Sequence, residues 1–78
     1  MKAQIKFLRL DAETAEEELV FEVIPDREDG VYPKNRWLLR VAKCFVDEQA
    51  GGGSTLNEQI DEATKLIGAA MGIEHHVR

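Results

Sequence analysis

The chain has 78 residues, of which 44% are hydrophobic and 32% charged, with a formal net charge of −5, one cysteine and two histidines. A chain this short builds one thin hydrophobic core, which excludes two independent domains and leaves stability that a partner subunit would improve. Lone Cys44 excludes an internal disulfide and points to a reducing, cytoplasmic setting, and no uncharged apolar run is long enough for a membrane span.

Residues 3–10 alternate, with Ala3, Ile5 and Phe7 against Gln4 and Lys6, before reaching Leu8 and Leu10; this is the period of a half-buried strand. The polar stretch 11–17 reads as a connection. Residues 18–24, ELVFEVI, are β-branched and aromatic and are closed by Pro25 and the turn-rich PDREDG, which predicts a second strand.

Residues 36–46, RWLLRVAKCFV, suit two states. A helix would line Arg36, Arg40, Lys43 and Asp47 along one narrow face. It would also set Arg36 at the positive end of the helix dipole and Asp47 with Glu48 at the negative end, both unfavourable. Val41, Cys44, Phe45 and Val46 are weak helix formers and good strand formers, so a third strand is expected. After a flexible break at 50–53, Thr55 and Glu58 have the spacing of a capping box, opening a helix over 56–71 with Leu56, Ile60, Ala63, Ile67 and Ala70 on its apolar side. Gly72 is placed to end it with Ile73 packing back in a Schellman motif, and the tail 73–78 is expected to be loose or a short edge strand.

The expected fold is therefore a single α+β domain over residues 1–78. It consists of a three-stranded antiparallel β-meander followed by one C-terminal amphipathic helix packed on one face. The alternative is a ββαα arrangement with residues 36–49 helical.

The net charge conceals blocks. Residues 1–10 carry +3, residues 11–30 carry −8, residues 31–46 carry +4, residues 47–62 carry −5 and the remainder +1. Neighbouring blocks of opposite sign are expected to pair in space, and a meander would put Lys6, Glu22 and Arg40 on one face as a basic, acidic, basic ladder. The acidic balance argues against direct nucleic-acid binding, which is built from clustered Lys and Arg.

Several motifs resemble sites. The turn Gly52, Gly53, Ser54 and Thr55 leads into a helix, where free amides attract anions, although it is neither a P-loop nor a dinucleotide fingerprint. His75 and His76 are adjacent and diverge, so no metal or other cofactor is expected. Cys44 reads as a buried, inert strand thiol. Ser54 lacks the surroundings of a nucleophile elbow, and the loop at 26–37 fails the calcium-loop pattern, so no catalytic residue is assigned. The acids Glu16, Glu17, Glu18, Asp26, Glu28 and Asp29 form a charged patch suited to a partner.

One helix covers only one side of a sheet. With Ile5, Phe7, Leu19, Phe21, Val23, Trp37, Leu39, Val41 and Phe45 on the helix side, the other side would carry Leu8, Leu10, Val20, Ile24, Leu38, Ala42 and Val46. A contiguous apolar surface of that kind predicts an interface, either with a second copy of the chain or with a different protein.

The segment Cys44-Phe45, a glycine turn, then Ser54-Thr55-Leu56-Asn57-Glu58-Gln59-Ile60-Asp61-Glu62-Ala63 resembles the strand-to-helix passage of HicB-type antitoxins over residues 44–63 of 78. The chain departs from that family in its long loop at 26–35. The resemblance implies a small acidic protein that masks a toxin. The functional expectation is a non-enzymatic protein-binding or inhibitor module, antitoxin-like or imitating nucleic acid, from a mobile element or phage. Its partners would be another protein and a second copy of itself, with Glu16, Glu17, Glu18, Asp26, Glu28, Asp29, Leu8, Val20, Ile24, Leu38 and Val46 at the contact. The alternative is an anion- or small-molecule-binding domain using Gly52, Gly53, Ser54 and Thr55.

Overall fold

The computed structural model describes residues 2–12, 16–25 and 36–73. Three strands, β1 (Ala3–Asp11), β2 (Glu18–Pro25) and β3 (Trp37–Ala42), are followed by two helices, α1 (Lys43–Gln49) and α2 (Leu56–Met71). The strands form one antiparallel sheet in the order β1-β2-β3. This is the α+β meander that the alternation predicts, with an extra short helix.

On the inner face of the sheet, Leu19, Phe21 and Val23 from β2 are fully buried beside Ala3, and Ala63 and Ile67 of α2 close over them. Phe7 meets Phe21 edge to face at 5.5 Å between ring centroids, a preferred arrangement for aromatic pairs. Gly72 ends α2 with φ 63°, and the Ile73 amide donates to the Gly68 carbonyl at 2.9 Å. That is the Schellman closure, and it carries Ile73 into the core.

The third strand is shorter than the expected 36–46. Its last rung is Ala42 opposite Glu18, where β2 itself begins, so the chain beyond has no neighbour to pair with. Unpaired backbone groups must find partners elsewhere, and a helix supplies them locally. The Lys43 amide turns instead to the Glu17 carbonyl at 3.0 Å and α1 starts there. Helical geometry replaces a twofold alternation by a 3.6-residue period, so Val46 is swung into the core at 0% exposure while Phe45 stays 47% exposed. Both assignments reverse the strand expectation, which had Phe45 inside and Val46 on the open face. Cys44 likewise is exposed on α1 rather than buried in a strand.

A second correction lies in β1. Phe7 is opposite Phe21 but Arg9 is opposite Val20, so Leu8 is an extra residue, a β-bulge. The bulge reverses the alternation beyond it. Leu10 comes opposite Leu19 on the inner face rather than joining the open one, and Arg9 and Asp11 move to the open side.

The open face is consequently more charged than expected. Lys6 does pair with Glu22, but the next residue along that rung is Leu38, not Arg40. Arg40 sits opposite Val20 and reaches Asp11 at 3.0 Å and Glu18 at 3.6 Å, and Arg36 takes Glu22 at 3.5 Å. Among the described residues, the bases Arg36, Arg40 and Lys43 thus pair with the acids Asp11, Glu17, Glu18 and Glu22. Val20 has no exposed surface although it lies in register on the open face between Arg9 and Arg40. Long aliphatic stems of arginine can cover such a residue. Of the residues expected to form an open apolar surface, Leu38 (56%) and Leu8 (36%) are substantially exposed, and Ile24 is half-buried.

Candidate functional site

The most developed polar feature lies where the start of β2, the helix α1 and the start of α2 converge. A cleft of about 680 Å³ is lined by Glu16, Glu17, Lys43, Cys44, Asp47, Gly53, Ser54 and Gln59. Its walls follow from local structure. Lys43 and Cys44 share one side of α1 with Asp47 because each stands one helical turn, four and three residues respectively, before it. Glu17 is tied to α1 twice, through its carbonyl to the Lys43 amide and through its carboxylate to Lys43 Nζ at 3.8 Å. The third wall is the glycine turn, whose residues 51, 52 and 53 have φ of 102°, 84° and 66°. Three successive positive values are a conformation open to glycine and strained for other residues.

Asp47 is the hub of the cleft. Its Oδ1 accepts the Ser54 amide at 2.8 Å, the Ser54 hydroxyl and the Gln59 Nε2 at 3.4 Å. The Ser54 hydroxyl above all, then the Ser54 amide, holds its carboxyl down at about 2, below the ordinary 3.8. The anion cradle of the alternative reading is therefore engaged from within. The Gly52 amide donates to the Asp47 carbonyl, the Ser54 amide to the Asp47 carboxylate, and the Thr55 amide to Glu58 Oε1 at 2.8 Å. The amide of Gly53 also helps to lower Asp47. With Glu58's amide donating to Thr55 Oγ1 at 3.2 Å, the capping box is complete, and Glu58 is lowered by the Thr55 amide. An external anion would have to displace a carboxylate from these donors.

Gln59 is only 2% exposed. Its Nε2 donates to the Ser54 carbonyl at 3.1 Å as well as to Asp47, whereas its Oε1 is buried with no hydrogen-bond partner among the described residues. Sequence reading passed over it. The signal was present, since Gln59, Ala63 and Ile67 recur at four-residue spacing and a polar residue on a buried helical face requires an explanation. Asp47 gave no such signal, because its partners lie seven and twelve residues away.

Of the six acids expected to form a patch, Glu16 and Glu17 are exposed on the cleft wall, and Glu18 is half-buried against Arg40. Asp26, Glu28 and Asp29, like His75 and His76, lie outside the described residues. Val46 is not available to a partner, being in the core, and Val20 offers no surface. Among the described residues, no three His, Cys, Asp or Glu side chains converge as metal ligands, and no helix is long and apolar enough to cross a membrane.

No protein-family model, curated protein or solved structure matches the chain. The likeness of residues 44–63 to HicB-type antitoxins remains local, and within it Cys44 and Phe45 are helical, so the passage runs helix to helix rather than strand to helix.

Proposed function

We propose that this protein is a small cytoplasmic, non-enzymatic binding or inhibitor module that meets a basic partner protein with its acidic 11–30 block. The reading includes imitation of nucleic acid and the masking of a toxin, in the manner of small inhibitors from mobile elements or phage. The observation that carries it is the cleft in which the carboxylates Glu16, Glu17 and Asp47 stand together with Lys43 among its described lining residues. The cleft chemistry also argues against an enzyme. The Ser54 hydroxyl donates to Asp47, and a carboxylate held at about 2 is a poor proton acceptor at neutral pH. The anion-binding alternative is disfavoured because the donors of the glycine turn already serve Asp47 and Glu58.

Charge sets the encounter rate in such a complex and apolar contacts its lifetime. Leu8 and Leu38, exposed on the open sheet face, are the apolar residues placed to serve the partner or a second copy of the chain. The test is partner binding by the full chain and by a variant with Glu16, Glu17, Glu18, Asp26, Glu28 and Asp29 reversed to Lys. The reversed protein should lose association rate by about tenfold or more at low salt. Undiminished binding would overturn the acidic-interface reading. Equilibrium sedimentation decides the homodimer, since a strict monomer at high concentration refutes it.

A further inference from the structure

The two edges of the sheet are built differently. β1 carries the bulge at Leu8 together with Lys6 and Arg9, and bulges and charges of this kind keep an edge strand from pairing with another chain. β3 is less defended. Its six residues, WLLRVA, contain no proline or glycine, run in unbroken register with β2 and include one charge, Arg40. Trp37 on the inner face and Leu38 on the open face are 40% and 56% exposed, and Leu39 and Val41 are half-buried.

One bond shows which backbone groups point outward from this edge. The Lys43 amide donates to the Glu17 carbonyl at 3.0 Å, one rung beyond Ala42 and Glu18. Hydrogen-bonded and non-hydrogen-bonded rungs alternate in an antiparallel pair, so Trp37, Leu39 and Val41 exchange bonds with β2, while Leu38, Arg40 and Ala42 turn theirs to the other side. Among the described residues no strand pairs with that side.

We propose that β3 pairs antiparallel with β3 of a second copy of the chain, Leu39 opposite Leu39, joining two three-stranded sheets into one of six strands. Charge selects the register. A two-fold pairing centred on Arg40 sets arginine against arginine, and one centred on Leu38 sets Arg36 against Arg40; like charges directly opposite are destabilising. Centred on Leu39, each Arg40 lies opposite Leu38 of the other copy and keeps Asp11 and Glu18 of its own chain. Trp37 then faces Val41 of the second copy, twice by symmetry, and aromatic with β-branched pairs stabilise sheets. The apolar inner face runs on from one copy into the other, and Leu38 and Arg40 of opposite copies exchange the outward backbone bonds. The fit is of the strand to itself, so an unrelated strand would need the same order of apolar and charged residues to match it.

This inference rests on the homodimer reading and moves its contact from the open face to the sheet edge. Equilibrium sedimentation of the full chain should show monomer and dimer exchanging between about 10 µM and about 1 mM, the range of a small interface. Leu38→Pro deletes an outward N–H and leaves the bonds to β2, so it should raise Kd at least about tenfold. Leu8→Lys, on the open face, should change Kd by less than about twofold. Cysteines placed in a Cys44→Ser background read the register. Leu39→Cys should form a disulfide-linked dimer with oxidised glutathione, because non-hydrogen-bonded partners lie about 4.5 Å apart, and Leu38→Cys should stay monomeric. A dimer that survives Leu38→Pro but not Leu8→Lys, or linkage through Leu38→Cys in place of Leu39→Cys, overturns the edge pairing and leaves the homodimer standing. A strict monomer at about 1 mM overturns both. If Leu38→Pro fails to fold in a thermal melt, the two cysteine variants decide alone.

Discussion

The helical turn that carries Val46 into the core can be tested by a pair of substitutions one residue apart. Val46 has 0% exposure, and Phe45 is 47% exposed. Val46→Ala removes two methyl groups from the interior. Transfer accounts for about 1.6 kcal/mol at about 0.8 kcal/mol per carbon. The void, on the order of 50 Å³ if the walls do not close, adds about 1 kcal/mol. The expected loss is therefore about 2 to 3 kcal/mol, which for a domain of this size lowers Tm by roughly 10–20 °C. Phe45→Tyr, by contrast, puts a hydroxyl on a half-exposed ring and should change stability by less than about 0.5 kcal/mol. Urea denaturation followed by circular dichroism, with unchanged slope, gives both numbers. A strand running through residue 46 reverses the ranking. If Phe45→Tyr proved the more damaging change, or Val46→Ala were neutral, the helical assignment of α1 would be wrong.

Acid should also weaken the fold through Asp47. Its carboxyl is depressed from 3.8 to about 2 in the folded chain, so the unfolded state takes up the proton first and stability falls as pH drops through that interval. Asp11, lowered chiefly by its hydrogen bond from Arg40, and Glu58 act in the same direction. In Tm measurements from pH 6 to 2, Asp47→Asn should flatten the acid limb and lower Tm at neutral pH; an unchanged limb would show that Asp47 is not the hub. Gly51→Ala meets no atom within 4 Å, so its cost comes from φ alone, about 1 kcal/mol or more. A D-alanine placed there by chemical synthesis should restore stability, and failure to do so would locate the cost elsewhere. Thr55→Ala should cost about 1 kcal/mol by removing the cap, with Thr55→Ser close to the parent in thermal melts.

Much of the candidate site was illegible because it is assembled from distant segments. The glycine turn and the acids Glu16 and Glu17 could be identified in the sequence, each as a separate feature. Nothing in residues 16–17 announces that Lys43 will dock on them, and nothing in the turn announces that its donors face Asp47. Gln59 alone carried a readable sign, a polar side chain on the buried stripe of an amphipathic helix.

The sequence by itself determined the features whose cause is local. Alternation set β1, β-branched and aromatic residues closed by Pro25 set β2, the spacing of Thr55 and Glu58 set the start of α2, and Gly72 followed by Ile73 set its end, because each depends on residues close to one another in the chain. Opposed charge blocks also foretold the pairing of Arg36, Arg40 and Lys43 with acids between Asp11 and Glu22. Tertiary structure decided where β3 stops, since a strand lasts only as long as its neighbour and β2 begins at Glu18 opposite Ala42. It decided the bulge at Leu8, which moves Leu10 from one face to the other. Above all it decided that the carboxylate of Asp47 occupies the turn that only the alternative reading gave to an external anion, a choice that rests on packing α1 against α2 rather than on any local preference of the chain.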